Sequence, residues 1–197
     1  HGTVATTVAD TVTLQTTAAI ASGKTINEAA DTNATTAITA LQDTVTADLD
    51  SISTNSVTAA ATATDTTVNF EGKLGKAVVA ITGGDGGGND IFNVDSALDM
   101  GTATFTVAEN NTLQGTALQL DGHSASGAGL TAVTALQNTA AADLSGLATT
   151  SVTAAATATD ATIDFTGNLG KAVVAITGGN GTVSPLVLNT YSSIYGS

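Results

Sequence analysis

The chain has 197 residues, 39 of them Thr and 36 Ala, with one Pro and no Cys, Trp or Arg. Four Lys against 17 Asp and Glu leave a net charge of -13, which excludes nucleic acid and anionic membranes as partners, because both are gripped through Lys and Arg on phosphate. The missing Cys removes disulfide frameworks and thiolate metal centres, and no apolar run reaches the ~18 residues of a membrane-spanning helix. His1-Gly2-Thr3 carries neither Met nor a leader, as expected after removal of a signal peptide or trimming of the chain.

Taken in order, residues 1–10 read as an N-terminal extension. A strand within 3–15 presents Val4, Val8, Val12 and Leu14, so this end is a candidate donor strand. Ile38, Leu41, Val45, Leu49 and Ile52 come next at spacings of 3, 4, 4 and 3, one stripe of an amphipathic helix. The period then changes to two. Val57, Ala59, Ala61 and Ala63 alternate with Thr58, Thr62 and Thr64, giving a strand with one small apolar face and one hydroxyl face. Residues 66–70 continue it, Gly72 and Gly75 turn the chain, and 76–82 form a β-branched strand through Val78, Val79 and Ile81. Further strands are predicted over 102–107, 116–120 and 182–188. A second helix carries Leu130, Val133, Leu136, Ala140, Leu144 and Leu147. Near the C-terminus, Leu186, Val187, Leu188, Tyr191, Ile194 and Tyr195 gather both Tyr of the chain into an apolar-aromatic docking tail.

The chain repeats itself. SVTAAATATD at 56–65 recurs unchanged at 151–160, LGKAVVAITGG at 74–84 recurs at 169–179, and TAITALQ at 36–42 recurs as TAVTALQ at 131–137, always 95 residues on. One constant offset marks duplication of a unit. The expected fold is mainly β (α+β): two tandem β-rich units of about 95 residues, 11–105 and 106–197, each with one amphipathic helix packed on a sheet. Residues 14–33 share little with 109–128, and 85–102 share little with 180–197. The shared parts are expected to build each core and the unlike parts to meet different neighbours. Ala buries little area per residue, so further burial between units or subunits is expected to stabilise the fold.

Sites for chemistry are few. No Ser/His/Asp, HExxH or GxSxG pattern is present, so no enzyme is expected. His123, in Asp121-Gly122-His123-Ser124, reads as a solvated turn residue. The loop Gly86-Gly87-Gly88-Asn89-Asp90 has no GK[ST] after it, which argues against nucleotide binding. Its glycines permit a tight turn, and carboxylate and backbone oxygens suit a hard cation. Asp85, Asn89, Asp90 and Asp95 are therefore the candidate calcium ligands, set against the plainer reading of a glycine loop. Lys76 and Lys171 open apolar strands. They are candidates for Lys–Asn linkage of the pilin kind with Asn69, Asn168 and Asp164, or plain strand-start lysines with the head in water. Asn33-Ala34-Thr35 and Asn110-Asn111-Thr112 are glycosylation sequons, making Asn33 and Asn110 candidate acceptors. TxT triplets such as Thr62-Ala63-Thr64 stem from the β-propensity of Thr more simply than from ice binding.

The phrases SVTAAATATDATIDFTGNLGKAVVAI at 151–176 and GTATFTVAENNTLQG at 101–115 look like the Thr/Ala/Gly-rich repeats of large bacterial cell-surface and secreted proteins, near their RTX, S-layer and adhesin segments. The run from Gly86 to Phe92 also resembles the glycine-rich nonapeptide of RTX proteins, with Asp85 where the first Gly belongs. The resemblance implies an extracellular, non-catalytic, calcium-associated role. The expected function is a subunit of a filament or surface layer, its partners other copies of itself, joined head-to-tail by strand exchange through a terminal segment. The alternative is a calcium-associated adhesin or binding module of a secreted RTX-like protein, with glycans as further candidate partners.

Overall fold

The computed structural model describes residues 5–30, 33–44, 46–63, 67–83, 90–136, 141–158, 163–178 and 186–188. They form a parallel β-solenoid. Its strands are β1 (Thr6–Val8), β2 (Thr13–Thr17), β3 (Ile26–Glu28), β4 (Thr35–Thr39), β5 (Ser56–Ala63), β6 (Thr67–Phe70), β7 (Val78–Gly83), β8 (Asp90–Val94), β9 (Thr104–Val107), β10 (Asn111–Thr116), β11 (Ser124–Thr134), β12 (Leu147–Ala158), β13 (Ile163–Phe165), β14 (Val173–Gly178) and β15 (Leu186–Leu188). All pairings between them are parallel, and each residue faces one a coil further along: Thr112 faces Leu130, Thr58 faces Val78, and Val78 faces Thr104. The main path of the large sheet runs β2-β4-β5-β7-β9-β11-β10-β8-β6, with β12 and β14 added beyond β11. The path doubles back at β11 because that strand is long enough to lie beside β9 with its first residues and beside β10 with its last.

Thr, Val and Ile suit a pleated surface, and the two-residue period sends Val57, Ala59 and Ala61 inward while Thr58 and Ala60 face out. Corners stack as regularly as strands. An N–H returns to the carbonyl three residues back in Ala21–Lys24, Leu49–Ile52, Leu74–Ala77, Met100–Ala103, Leu120–His123, Leu144–Leu147 and Leu169–Ala172. These seven turns divide the described chain into eight coils. Leu49, Leu74, Met100, Leu120, Leu144 and Leu169 are all buried, so the corners supply one inner row of the core. Ahead of these apolar residues stand Asp48, Asp99, Asp143 and Asn168. Each accepts, through Oδ1, the N–H two residues on, at 3.0–3.1 Å, an Asx turn that fixes the bend. One glycine is dictated by crowding. A Cβ on Gly72 would sit 2.1 Å from the Ala47 carbonyl oxygen, and its counterpart Gly167 meets Ala142 in the same way at 2.2 Å.

The amphipathic helices expected over 38–52 and 130–147 are not formed, which corrects the α+β assignment with a helix packed on a sheet in each unit. The described helical pieces are short, one α turn at Ala18–Ala21 and one 3-10 turn at Leu41–Asp43. Ile38 lies on β4, Leu41 opens the 3-10 turn, and Leu49 and Ile52 close a corner. Their spacing imitates a helix because inward positions of three successive elements fall 3 and 4 residues apart. Ala40 and its repeat counterpart Ala135 take left-handed φ of 53° and 52°, which breaks a helix at the same place in both copies. In the second copy β11 runs through Leu130 and Val133, and Leu144 and Leu147 belong to a corner; Leu130 is exposed. Val45 and Ala140 lie outside the described residues. The strand predicted over 116–120 is a turn that comes after β10.

Superposing coils reveals a second offset. Thr13-Leu14-Gln15 occupies β2 as Thr112-Leu113-Gln114 occupies β10, 99 residues on. The pairing of β1 with β3 matches that of β9 with β11, Thr6↔Ile26 against Phe105↔Ala125. Thr17 Oγ1 accepts from Ile20 N and Thr116 Oγ1 from Gln119 N. Ser22 Oγ and Asp121 Oδ1 accept from Asp48 N and Asp143 N. Residues 14–33 and 109–128, which share little sequence at an offset of 95, thus fold as the same coil, shifted by four residues.

Candidate functional site

The first copy hands over to the second through two pairings. β7 lies beside β9, from Val78↔Thr104 to Ile81↔Val107, and β8 lies beside β10, from Asp90↔Asn111 to Asn93↔Gln114. Backbone bonds from Thr102 N to Gly75 O (2.8 Å), Thr104 N to Ala77 O (3.1 Å) and Ala108 N to Ile81 O (2.9 Å) continue the joint. This contact buries Val79, Ile81, Phe92 and Leu113. Phe92 also stacks on Phe70, ring centres 5.9 Å apart.

The ends of the molecule lack such cover. Among the described residues β14 pairs only with β12, β15 only with β13, β1 only with β3, and β2 only with β4. Ile81 is 0% exposed, whereas Ile176, its counterpart on β14, is 52% exposed. Val79 is buried, whereas Val174 is half-buried. At the opposite end Leu14 is half-buried where its counterpart Leu113 is sealed. Seven large apolar side chains are exposed among the described residues, and Val12, Ile20, Val173 and Ile176 lie on the first and last coils. Unpaired parallel edges lined with apolar side chains are ready templates for another strand.

The structure places the expected assembly residues at both ends. Val8 is buried in its own chain, Val12 is exposed and Leu14 packs against the core. Leu186 and Leu188 belong to β15 beside β13. Val4, Tyr191 and Tyr195 lie outside the described residues. The N-terminal strands pair at home with β3 and β4, so this end presents an edge.

Of the expected cation ligands only Asp90 and Asp95 are described, and these two are not brought together. Asp85 and Asn89 lie outside the described residues. Asp90 and Asp95 stand at opposite ends of β8, about 16 Å apart at 3.3 Å per residue, and one calcium ion holds its oxygens within about 2.6 Å. Asp95 Oδ1 instead accepts from Ala97 N at 3.0 Å. Among the described residues no group of three or more His, Cys, Asp or Glu is placed to hold a metal. Asp90 has a different neighbour, Asn111 of the next coil. The two are 1% and 2% exposed, and among the described residues neither Asp90 Oδ1 nor Asn111 Oδ1 has a hydrogen-bond partner. Asn111 Nδ2 donates to Glu109 O at 2.9 Å and to Ala108 O at 3.4 Å, which turns its oxygen the other way. Asp90 Oδ2 and Asn111 Oδ1 both approach the space beside Gly83, within 2.8 and 3.1 Å of where a Cβ would stand. A hollow of about 270 Å³ opens there, lined by Thr82, Glu109 and Asn110 as well.

Asn33 and Asn110 are both exposed, but the Thr35 and Thr112 of their sequons are half-buried in β4 and β10. His123 ends a corner and is half-buried. The Lys171 ammonium donates to Thr149 O, which leaves Asn168 to cap its own turn. Sequence reasoning misses the stacked corners. Their signal is an Asp or Asn before Leu or Met, at Asp48, Asp99, Asp143 and Asn168, interrupted at the other three corners by Ile20, Lys73 and Gln119.

No protein-family model, no curated protein and no solved structure matches the chain.

Proposed function

We propose that the chain is a non-catalytic structural protein of the cell exterior that builds a filament or surface layer by head-to-tail association of its own copies. One observation carries this reading. The two ends leave strand edges open and leave Ile176 exposed and Val174 and Leu14 half-buried, whereas their counterparts Ile81, Val79 and Leu113 are buried where the two units meet inside the molecule. Unlike ends that fit each other generate open polymers, whereas identical patches close into dimers. Extracellular placement is supported by the absence of Cys and Arg and by the Thr/Ala/Gly-rich texture shared with bacterial surface repeats. The assembly does not need a strand to leave its coil, because β1, β2 and β15 are paired at home and offer edges. Negative-stain microscopy and sedimentation of the purified chain over a roughly hundredfold range of concentration test the proposal. Rods or sheets whose mass grows with concentration are expected; a single-chain species throughout would end it.

A second reading, a calcium-associated binding module, is favoured by the buried oxygens of Asp90 and Asn111. A carboxylate and an amide oxygen without donors fit a hard cation, and they supply two of the six to eight oxygens calcium takes. Calcium should then raise the midpoint of thermal unfolding relative to chelator. An identical midpoint in both removes this reading and leaves the first untouched.

A further inference from the structure

The filament reading leaves open which surfaces meet. Resting on that reading, we propose that the last coil of one copy stacks on the first coil of the next in the register already used at the internal junction. The strands that end the first unit recur 95 residues on: Val78-Val79-Ala80-Ile81 of β7 is Val173-Val174-Ala175-Ile176 of β14. The strands that open the second unit recur 99 residues back: Thr106-Val107 corresponds to Thr7-Val8, and Thr112-Leu113-Gln114 to Thr13-Leu14-Gln15. Each molecule therefore carries, at its two ends, the two halves of a joint that it has made once inside itself.

Transposing the internal pairs fixes the contact. Val173 stands opposite Ala5 of the next copy, Val174 opposite Thr6, Ala175 opposite Thr7 and Ile176 opposite Val8. The pairing of β15 with β13 makes Leu186 the counterpart of Phe92 and Val187 that of Asn93, so Leu186 stands opposite Leu14 and Val187 opposite Gln15. The joint between molecules is more apolar than the one within. Asn93 and Asn111 of the internal joint become Val187 and Val12, and Gln119, whose Nε2 reaches across to Val94 O, becomes Ile20. That substitution explains why Val12 and Ile20, on an otherwise Thr-rich coil, are large and exposed. The occupant is a second copy of this chain, because the uncovered inward residues Val174, Ile176 and Leu14 are the counterparts of Val79, Ile81 and Leu113, which this chain already covers.

The absence of Cys makes the register testable by cross-linking. Thr7 and Ala175 are both exposed, and in-register neighbours on adjacent strands are about 4.8 Å apart, close enough for a disulfide. The double variant Thr7→Cys/Ala175→Cys should give a ladder of linked dimers, trimers and longer chains under mild oxidation. Thr13→Cys/Ala175→Cys, out of register, should give none. Adding Ile176→Asp to the first pair should reduce the ladder at least about tenfold with unchanged circular dichroism, since that side chain is exposed in the single molecule. Polymers without the in-register ladder, a ladder from the control pair, or indifference to Ile176→Asp would overturn the register and leave head-to-tail association standing. Single chains at every concentration would overturn both.

Discussion

At four of the corners one carboxylate or amide accepts a backbone N–H two residues ahead, and Asp143 is the case where the bond also moves a proton equilibrium. The Ser145 hydroxyl donates to Asp143 Oδ1 at 2.6 Å and the Ser145 N–H at 3.0 Å. The hydroxyl bond first, and the N–H bond second, hold this carboxyl below its ordinary value of 3.8, against a small opposing effect of burial. A lowered pKa in the folded state contributes stability above the ordinary value and loses it as pH falls through the lowered one. The group is exposed, so the contribution is small. Ser145→Ala should therefore shift the Asp143 titration upward, read from its carboxyl chemical shift, with the unfolding midpoint at pH 7 nearly unchanged. An unmoved titration would assign the effect to the N–H alone. The buried pair at the unit boundary behaves differently. Asp90→Asn gives Asn111 Oδ1 the donor it lacks, and a buried acceptor gaining a partner is worth about 1 kcal/mol. In chelator the variant should be the more stable protein in urea; a lower midpoint would show that the carboxylate is needed there for its charge.

Elements are held by what their inward side chains demand of each other, and this decides how much of them a sequence discloses. The two-residue period around Val57, Ala59 and Ala61 is legible, because a strand with one buried face leaves that trace. The helical stripes mislead because a corner between strands also places apolar residues 3 and 4 apart, and spacing alone cannot show that Ala40 has left-handed φ. The coil repeat is hidden because a solenoid asks only for small or apolar inward residues, so identities drift while register persists. The unpartnered oxygens of Asp90 and Asn111 are equally silent, since only the register brings β8 and β10 side by side. Buried threonines show the limit of the pattern further. Thr36 Oγ1 meets Thr54 Oγ1 at 2.9 Å, and Thr54 donates on to Ser56 O; Thr131, Thr149 and Ser151 repeat the arrangement at 2.8 Å. A hydroxyl-facing threonine reads as solvent-exposed, yet these four are completely or almost completely buried. Thr54→Val should cost about 1–3 kcal/mol, because it leaves the Thr36 hydroxyl and the Ser56 carbonyl short of a partner. Thr36→Val/Thr54→Val should cost less than the sum of the single changes. Additive losses in urea would show that the two hydroxyls do not act as a pair.

For the whole molecule, the question is whether charge permits the copies to meet. Eight coils at about 4.8 Å make a body roughly 38 Å long, so stacked neighbours have centres about that far apart. Two bodies of charge -13 at that distance repel by about 18 kcal/mol in unscreened water. With a Debye length of about 30 Å at 0.01 M salt, roughly 5 kcal/mol of this survives; at about 8 Å, in 0.15 M salt, under about 1 kcal/mol does. The attraction is of similar size. Completing the burial of Val12, Ile20 and Ile176 yields about 1 kcal/mol each, and the added ladder bonds on the order of 0.5–1.5 kcal/mol each, against an association cost of about 4–15 kcal/mol. Screening therefore decides the outcome. Sedimentation velocity should find single chains at about 0.01 M salt and growing polymers at about 0.15 M and above. Acidifying toward the isoelectric point near 4.1 should promote growth at low salt in the same way, by removing the charge. Polymers that dissolve as salt is added would mean that opposite charges hold the copies together, and the apolar strand edges at the two ends would not be the contact.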